Sequence, residues 1–93
     1  MDMKVALRRF RHPVPARVRV ADGKPARVTI DRRGMDGGGV KVCAGPWRTS
    51  GEWWDAEQAW DRDEWDVAMA DGTIYRLVVE RGVGQWFLEG VVD

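Results

Sequence analysis

Apolar and polar positions alternate in residues 16–30, ARVRVADGKPARVTI. A period of two is typical of a half-buried β-strand, and Asp22-Gly23 between the two runs is a strong signal for a two-residue hairpin turn. The pattern therefore predicts a hairpin with aliphatic side chains toward a core and polar ones toward solvent. The predicted inward residues are Val18, Val20, Val28 and Ile30, and the predicted outward ones are Arg17, Arg19, Arg27 and Thr29.

Residues 64–93, EWDVAMADGTIYRLVVERGVGQWFLEGVVD, predict a three-strand meander. Asp71-Gly72 is again a two-residue hairpin signal, and the glycines of residues 82–84 mark a second turn. Gly90 indicates a bulge or bend in the last strand. The alternation predicts two sets of side chains that each share a face, namely Trp65, Val67 and Met69 on the first strand, and Tyr75, Leu77 and Val79 on the second.

The other segments are less regular. Residues 1–15 are basic and contain Pro13 and Pro15, so we expect an extended arm that leads into the first strand. Residues 31–39, DRRGMDGGG, predict a glycine-rich loop, and residues 40–45 predict a short strand. In residues 55–66, DAEQAWDRDEWD, the helical spacing of Ala56, Ala59 and Trp60 is compatible with one short helix.

Together these elements predict an all-β fold. The chain is expected to form a small single domain over residues 1–93, built as an antiparallel meander or partly open barrel of about six strands, with at most one short helix. Six tryptophans in 93 residues make core filling the first interpretation of any one of them, because a domain this small buries only about 60–65% of its unfolded surface.

Composition limits the chemistry. Cys43 is the one cysteine and His12 the one histidine, so we expect neither a disulfide nor a structural zinc site, and we interpret Cys43 as a small apolar side chain in a strand. No cofactor and no small-molecule substrate is expected. The sequence has no apolar run long enough for a membrane helix and no apolar core of a secretory signal, which predicts a cytoplasmic protein without a membrane partner.

Charge is distributed unevenly along the chain. Residues 1–48 contain 12 basic and 4 acidic residues, whereas residues 49–93 contain 3 basic and 11 acidic ones. Halves of opposite sign indicate either ion pairing within the fold or a basic face and an acidic face for different partners. Because Lys and Arg neutralise phosphates, a DNA-binding accessory module is one alternative function. Its candidate residues are Arg8, Arg9, Arg11, Arg17, Arg19 and Arg27.

The acidic run DRDEWD, residues 61–66, raises a second alternative, a metal-dependent hydrolase. In an extended segment Asp61 and Asp63 share one face, whereas Glu64 and Asp66 share the other. No Lys or His is adjacent to complete such a site. We therefore expect no metal site and no catalytic residue.

Tryptophans cluster in residues 45–54, GPWRTSGEWW. This stretch, followed by WDRDEWDVAMADGTIYRL (residues 60–77) and the ending GQWFLEGVVD (residues 84–93), resembles the C-terminal region of ImuB-type mutasome proteins, which are catalytically inactive relatives of Y-family DNA polymerases. The similarity extends over residues 6–93 and depends on several Trp and Gly at set spacing. The polymerase-like palm, fingers and little finger of that family are absent from this sequence.

The resemblance implies a non-catalytic protein–protein interaction module in translesion synthesis after DNA damage. It also implies mutasome partners, a RecA-like accessory protein and an error-prone replicative-type polymerase. Since neighbouring residues of an extended chain point to opposite faces, we expect one of Trp53 and Trp54 to anchor the core and the other to reach the surface with Arg48. The candidate partner-binding residues are Trp47, Arg48, Trp53, Trp54, Arg62 and Asp63.

Overall fold

Six antiparallel strands form a closed ring in the computed structural model, which describes residues 7–35, 37–51 and 60–92. Each strand pairs with its neighbour in sequence, and the last strand returns to the first. The prediction of an all-β fold of about six strands is confirmed, and the described residues contain no helix. The strands are β1 (Leu7–Ala21), β2 (Lys24–Ile30), β3 (Gly38–Gly51), β4 (Trp60–Met69), β5 (Ile74–Glu80) and β6 (Gln85–Val92).

The turn between β1 and β2 has the predicted two-residue form. Asp22 has a φ of 53° and Gly23 a φ of 74°, and two successive positive φ angles are those of a type I′ turn, whose twist suits a tight hairpin. Ala21 and Lys24 are therefore directly paired. Val20 departs from the predicted pattern, because the register shifts between Arg19 and Val20 and leaves its side chain 50% exposed.

The turn between β4 and β5 lies at the predicted place, but its predicted length is wrong. Gly72, with a φ of 92°, donates its N–H to the carbonyl of Met69 at 3.0 Å, and Met69 donates its N–H to the carbonyl of Thr73 at 2.8 Å. This is a three-residue loop, a type I turn completed by a residue in the left-handed region. The register consequently pairs Trp65 with Leu77.

Asp71 stabilises the same loop. Its Oδ1 accepts the backbone N–H of Thr73 at 2.9 Å. This bond, with a second from the Thr73 side chain, lowers the pKa of Asp71, because both favour the ionised carboxylate. The turn residue is therefore held in its charged form.

The interior of the ring is apolar. Leu77, Leu88, Val28 and Val67 are fully buried, and burial of a side chain of this size contributes about 1.5–3 kcal/mol. The predicted inward positions of β4 and the first two of β5 are confirmed, whereas Val79 is half-buried. Among the described residues, the core cluster is Val14, Val28, Ile30, Trp65, Val67, Met69, Tyr75, Leu77 and Leu88.

The N-terminal half differs from its prediction. Strand β1 begins at Leu7, so residues 7–15 of the predicted arm belong to a strand that pairs with β6, and residues 1–6 lie outside the described residues. The register between β1 and β6 shifts between Arg9 and Val14, around Pro13, which has no N–H to donate. Because the pairing is interrupted there, the chain can continue as a strand past the prolines.

Strands β2 and β3 form the shortest pairing in the ring, with two residue pairs, Arg27–Gly39 and Val28–Gly38. Because β3 begins at Gly38, the end of the predicted glycine-rich loop belongs to a strand, and Asp36 lies outside the described residues.

Of the predicted short helix, Ala56 and Ala59 also lie outside the described residues. The described part of the chain holds no helix of the length and hydropathy that crossing a membrane requires.

Strands β1 and β6 approach closely at Gly90. A Cβ atom there would lie 2.3 Å from the carbonyl oxygen of Arg8 and 2.9 Å from the Cα of Arg9. We expect Gly90→Ala to lower the free energy of unfolding by about 1–3 kcal/mol, because the strands must separate to admit the methyl group. Urea denaturation measures the change.

Gly82→Ala is the matched control, since a Cβ at Gly82 meets no heavy atom within 4 Å. Equal destabilisation by the two substitutions would contradict the close approach of β1 and β6.

Candidate functional site

Trp47 lies on the outer face of the ring, and 47% of its surface is exposed. It follows a register shift in the β3–β4 pairing between Ala44 and Trp47, where Gly45 and Pro46 together lie opposite the single residue Trp65. An extra residue of this kind bends a strand and changes the direction of the side chains beyond it. The GPW part of the tryptophan motif therefore positions an indole on the surface instead of in the core.

Arg76 of β5 supports the Trp47 ring. Its Cζ lies 5.7 Å from the ring centroid, within the range of a cation–π interaction. The guanidinium is fixed in turn by Asp66, which accepts hydrogen bonds from Nε and, at 3.4 Å, from Nη2. The hydrogen bond to Asp66 raises the pKa of Arg76, and the side chains of both residues are only 22% exposed. Trp47 thus packs against a cation that is held in one position.

An apolar groove lies beside this pair. Four outer-face residues form a row across four strands, because Val42 pairs with Ala68, Ala68 with Ile74, and Ile74 with Val92. The groove has a volume of about 280 Å³, and Val42 is 62% exposed. Val92 is buried, so we call Trp47, the Arg76–Asp66 pair and the first three residues of this row, Val42, Ala68 and Ile74, the Trp47 face.

Arg48 belongs to a different group. It follows Trp47 on the strand, so its side chain points to the opposite face, where its Nε lies 3.7 Å from Asp63 Oδ1. Arg81 approaches the same carboxylate with its Nε at 3.9 Å and Asp61 with its Nη1 at 3.6 Å. These partly exposed ion pairs each contribute on the order of 0–1 kcal/mol. They join the ends of β3 and β4 to the β5–β6 loop.

The predicted partner-binding residues that the structure describes are therefore distributed over different faces. Trp47 is on the outer face, whereas Arg48 and Asp63 form an ion pair on the inner one. Arg62 is half-buried and lines a small cavity of about 140 Å³ with Pro13, Val78 and Phe87. Trp53 and Trp54 lie outside the described residues, so the expectation that one of them is exposed stays a prediction.

The basic residues of β1 also divide into groups. Arg9 lies 3.3 Å from Glu89 of β6, and Arg8 and Arg11 are exposed on the same half of the strand. The other half carries Arg17 and Arg19, which are exposed, as is Arg27 of β2. The ion pairs Arg9–Glu89 and Arg48–Asp63 join the basic and acidic halves of the sequence. Pairing within the fold therefore accounts for part of the charge asymmetry.

The acidic run has the predicted alternation. Asp61 and Asp63 share the contacts with Arg81, while Asp66 faces Arg76 on the other side of β4. Among the described residues, no group of three or more His, Cys, Asp or Glu side chains is placed to hold a metal ion.

The chain matches no protein-family model, no curated protein and no solved structure among those with which it was compared.

The sequence-based prediction missed Arg76, and Asp66 appeared in it only as part of the acidic run. The signal that could have identified this pair is that Asp66 and Arg76 are equally far from Asp71 along the sequence. A three-residue loop centred on Asp71 pairs Asp66 with Arg76, whereas the two-residue turn that was predicted would pair Asp66 with Leu77. Which of these two pairings forms depends on the backbone conformation of Gly72.

The Asp66–Arg76 pair is expected to couple energetically. A double-mutant cycle with Asp66→Ala and Arg76→Ala, measured by urea denaturation, should give a coupling energy of about 0.5–3 kcal/mol, because the pair is mostly buried and hydrogen-bonded. The same cycle on Arg81 and Asp61, whose side chains are 39% and 48% exposed, should give about 0–1 kcal/mol. A coupling for Asp66–Arg76 no larger than that of this exposed pair would show that Arg76 is not held as described.

Proposed function

We propose that the protein is a non-catalytic protein–protein interaction module that binds its partner through the Trp47 face. The observation that carries this proposal is an exposed tryptophan that packs on a fixed arginine beside an apolar groove. Trp and Arg are the residues most often found at the energetic centres of interfaces. Because the Asp66 hydrogen bonds already order the guanidinium, little side-chain entropy remains to be lost when a partner binds.

The geometry of the face suits a folded partner. Val42 and Trp47 present apolar surface on the same strand, and the groove between them and Ile74 is shallow. A complementary surface with one or two projecting apolar side chains would fill the groove and cover the indole. The Arg76–Asp66 pair would then lie beneath the contact, where it restricts the orientation of the Trp47 ring.

We further propose that the partner is a component of a translesion mutasome, either the RecA-like accessory protein or the error-prone replicative-type polymerase. The support is the similarity of GPWRTSGEWW and the two segments that follow it to the C-terminal region of ImuB-type proteins. Trp47 is part of that motif and is also the exposed aromatic residue of the Trp47 face. A role in damage-induced DNA synthesis also accords with the proposal of a cytoplasmic protein.

Trp47→Ala is the decisive substitution. We expect it to weaken binding to the purified accessory protein or polymerase by about 30-fold or more, as truncation of a central aromatic contact typically costs about 2 kcal/mol or more. Isothermal titration calorimetry measures the affinity, and circular dichroism verifies the fold. Val83→Ala is the matched control, since Val83 is 75% exposed in the β5–β6 loop and lies outside the Trp47 face.

Two results would contradict different parts of the proposal. Undiminished binding by folded Trp47→Ala would refute the Trp47 face as the binding surface. Absence of binding between the unmodified protein and both mutasome components would refute the proposed partners and leave the face to be tested with others.

A further inference from the structure

A second surface lies on the outer face of the β1–β2 hairpin. Arg19 and Arg27 are directly opposite each other in the register, and Arg17 is opposite Thr29. All four side chains are exposed, and the alternating Val18 and Val28 face the core. We call Arg17, Arg19 and Arg27 the arginine face.

The arginine face is not neutralised within the described part of the chain. Its three arginines form no ion pair there, whereas Arg9, Arg48, Arg76 and Arg81 each contact a carboxylate. The carboxylates of Asp61, Asp63 and Asp66 on β4 are engaged by arginines of β3, β5 and the β5–β6 loop. Pairing among the described residues therefore leaves the positive charge of this hairpin available to a ligand.

The arrangement has an energetic cost in the free protein. Side chains directly opposite on an antiparallel pair have Cβ atoms about 4.5–5.5 Å apart, and like charges at that separation are destabilising. Neither arginine is needed for the core, which Val28 fills from the other side of the sheet. A ligand with closely spaced negative charges would relieve the repulsion between Arg19 and Arg27.

We propose that the arginine face binds the phosphate backbone of nucleic acid, independently of base sequence. Arginine presents a planar fork of donors that matches a phosphate group with two hydrogen bonds. Arg17 and Arg19 are two residues apart on one strand, about 6.6–6.8 Å, so the rigid sheet presents its charges in a regular row. A repeating backbone of phosphates can satisfy all three at once.

Residues 16–30 contain no aromatic residue, so the face offers no ring on which bases could stack. The contact is therefore electrostatic, and single-stranded and duplex nucleic acid should both bind. A membrane surface is a less suitable ligand, because the hairpin offers Val20 as its one large exposed apolar side chain. The Trp47 face lies on β3, β4 and β5, so the two surfaces use different strands.

Fluorescence anisotropy with short labelled DNA of mixed sequence, across a salt series, tests the proposal. Three phosphate contacts predict that the logarithm of the binding constant falls against the logarithm of salt with a slope of about −2.7 for duplex and about −2.1 for single strands. At physiological salt the Kd should lie within the range of non-specific binding, roughly 10⁻⁴–10⁻⁶ M, and it should be smaller at low salt. A change of base sequence should leave both values unaltered.

The triple substitution Arg17→Gln, Arg19→Gln, Arg27→Gln should abolish binding, and each single substitution should reduce the slope by about 0.9 on duplex. The same positions changed to Lys should retain most of the binding, which separates a charge effect from unfolding. The matched control, Arg9→Gln, Arg48→Gln, Arg81→Gln, removes the same net charge from arginines that already have carboxylate partners.

Three outcomes would overturn the proposal. One is absence of binding to either form of DNA at low salt. Another is an equal loss of binding in the control variant, which would show a dependence on net charge alone. The third is competition by another anion at a concentration of negative charge equal to that of the DNA. Displacement of DNA by polyglutamate would assign the face to an acidic protein, and capture of the protein by anionic lipid vesicles would assign it to a membrane.

Discussion

The register of the β4–β5 hairpin determines both the core and the Trp47 face. Gly72 takes a φ of 92°, a conformation that costs a glycine little and most other residues considerably more. The resulting loop pairs Trp65 with Leu77 inside the ring and Asp66 with Arg76 outside it. A slip of one residue would move every side chain of one strand to the wrong face. Asp66 would then lie opposite Leu77, and Trp47 would lose its contact with the guanidinium of Arg76.

Period-two alternation predicted the first hairpin from residue 16 onward, the β4–β6 meander, and the outward arginines of the first hairpin, but it missed residues 7–15 of β1. It also predicted the core positions Trp65, Val67, Met69, Tyr75 and Leu77. Gly90 did indicate the register shift beside it in the β5–β6 pairing. Alternation could not predict the shifts in the β1–β2 and β3–β4 pairings, because a bulge changes the face of a side chain without changing the sequence pattern. Val20 is exposed for this reason, and Trp47 reaches the surface after the shift at Gly45 and Pro46. Trp47 and Arg48 lie on opposite faces, since adjacent strand residues point to opposite sides.

The core fills the interior of the ring, and both the Trp47 face and the arginine face lie on its outer surface. Although the net charge of the chain is zero, the charges on the outer surface are distributed unevenly among the strands. On β4 the carboxylates of Asp61, Asp63 and Asp66 are matched by arginines of neighbouring elements, and one such match fixes Arg76 beneath Trp47. The three arginines of the arginine face on β1 and β2 form no ion pair with any described residue. The same local charge pairing thus accounts for an apolar, ordered face on one set of strands and a cationic face on another.

Backbone NOE spectroscopy of the β4–β5 hairpin tests this account most directly. The register described here predicts cross-strand contacts between the backbone protons of Trp65 and Leu77 and between those of Val67 and Tyr75. Antiparallel partners have Cα atoms about 4.5–5.5 Å apart, close enough for such contacts to be observed. Contacts of Trp65 with Val78 instead would show a two-residue turn, and they would contradict both the placement of Arg76 and the Trp47 face that depends on it.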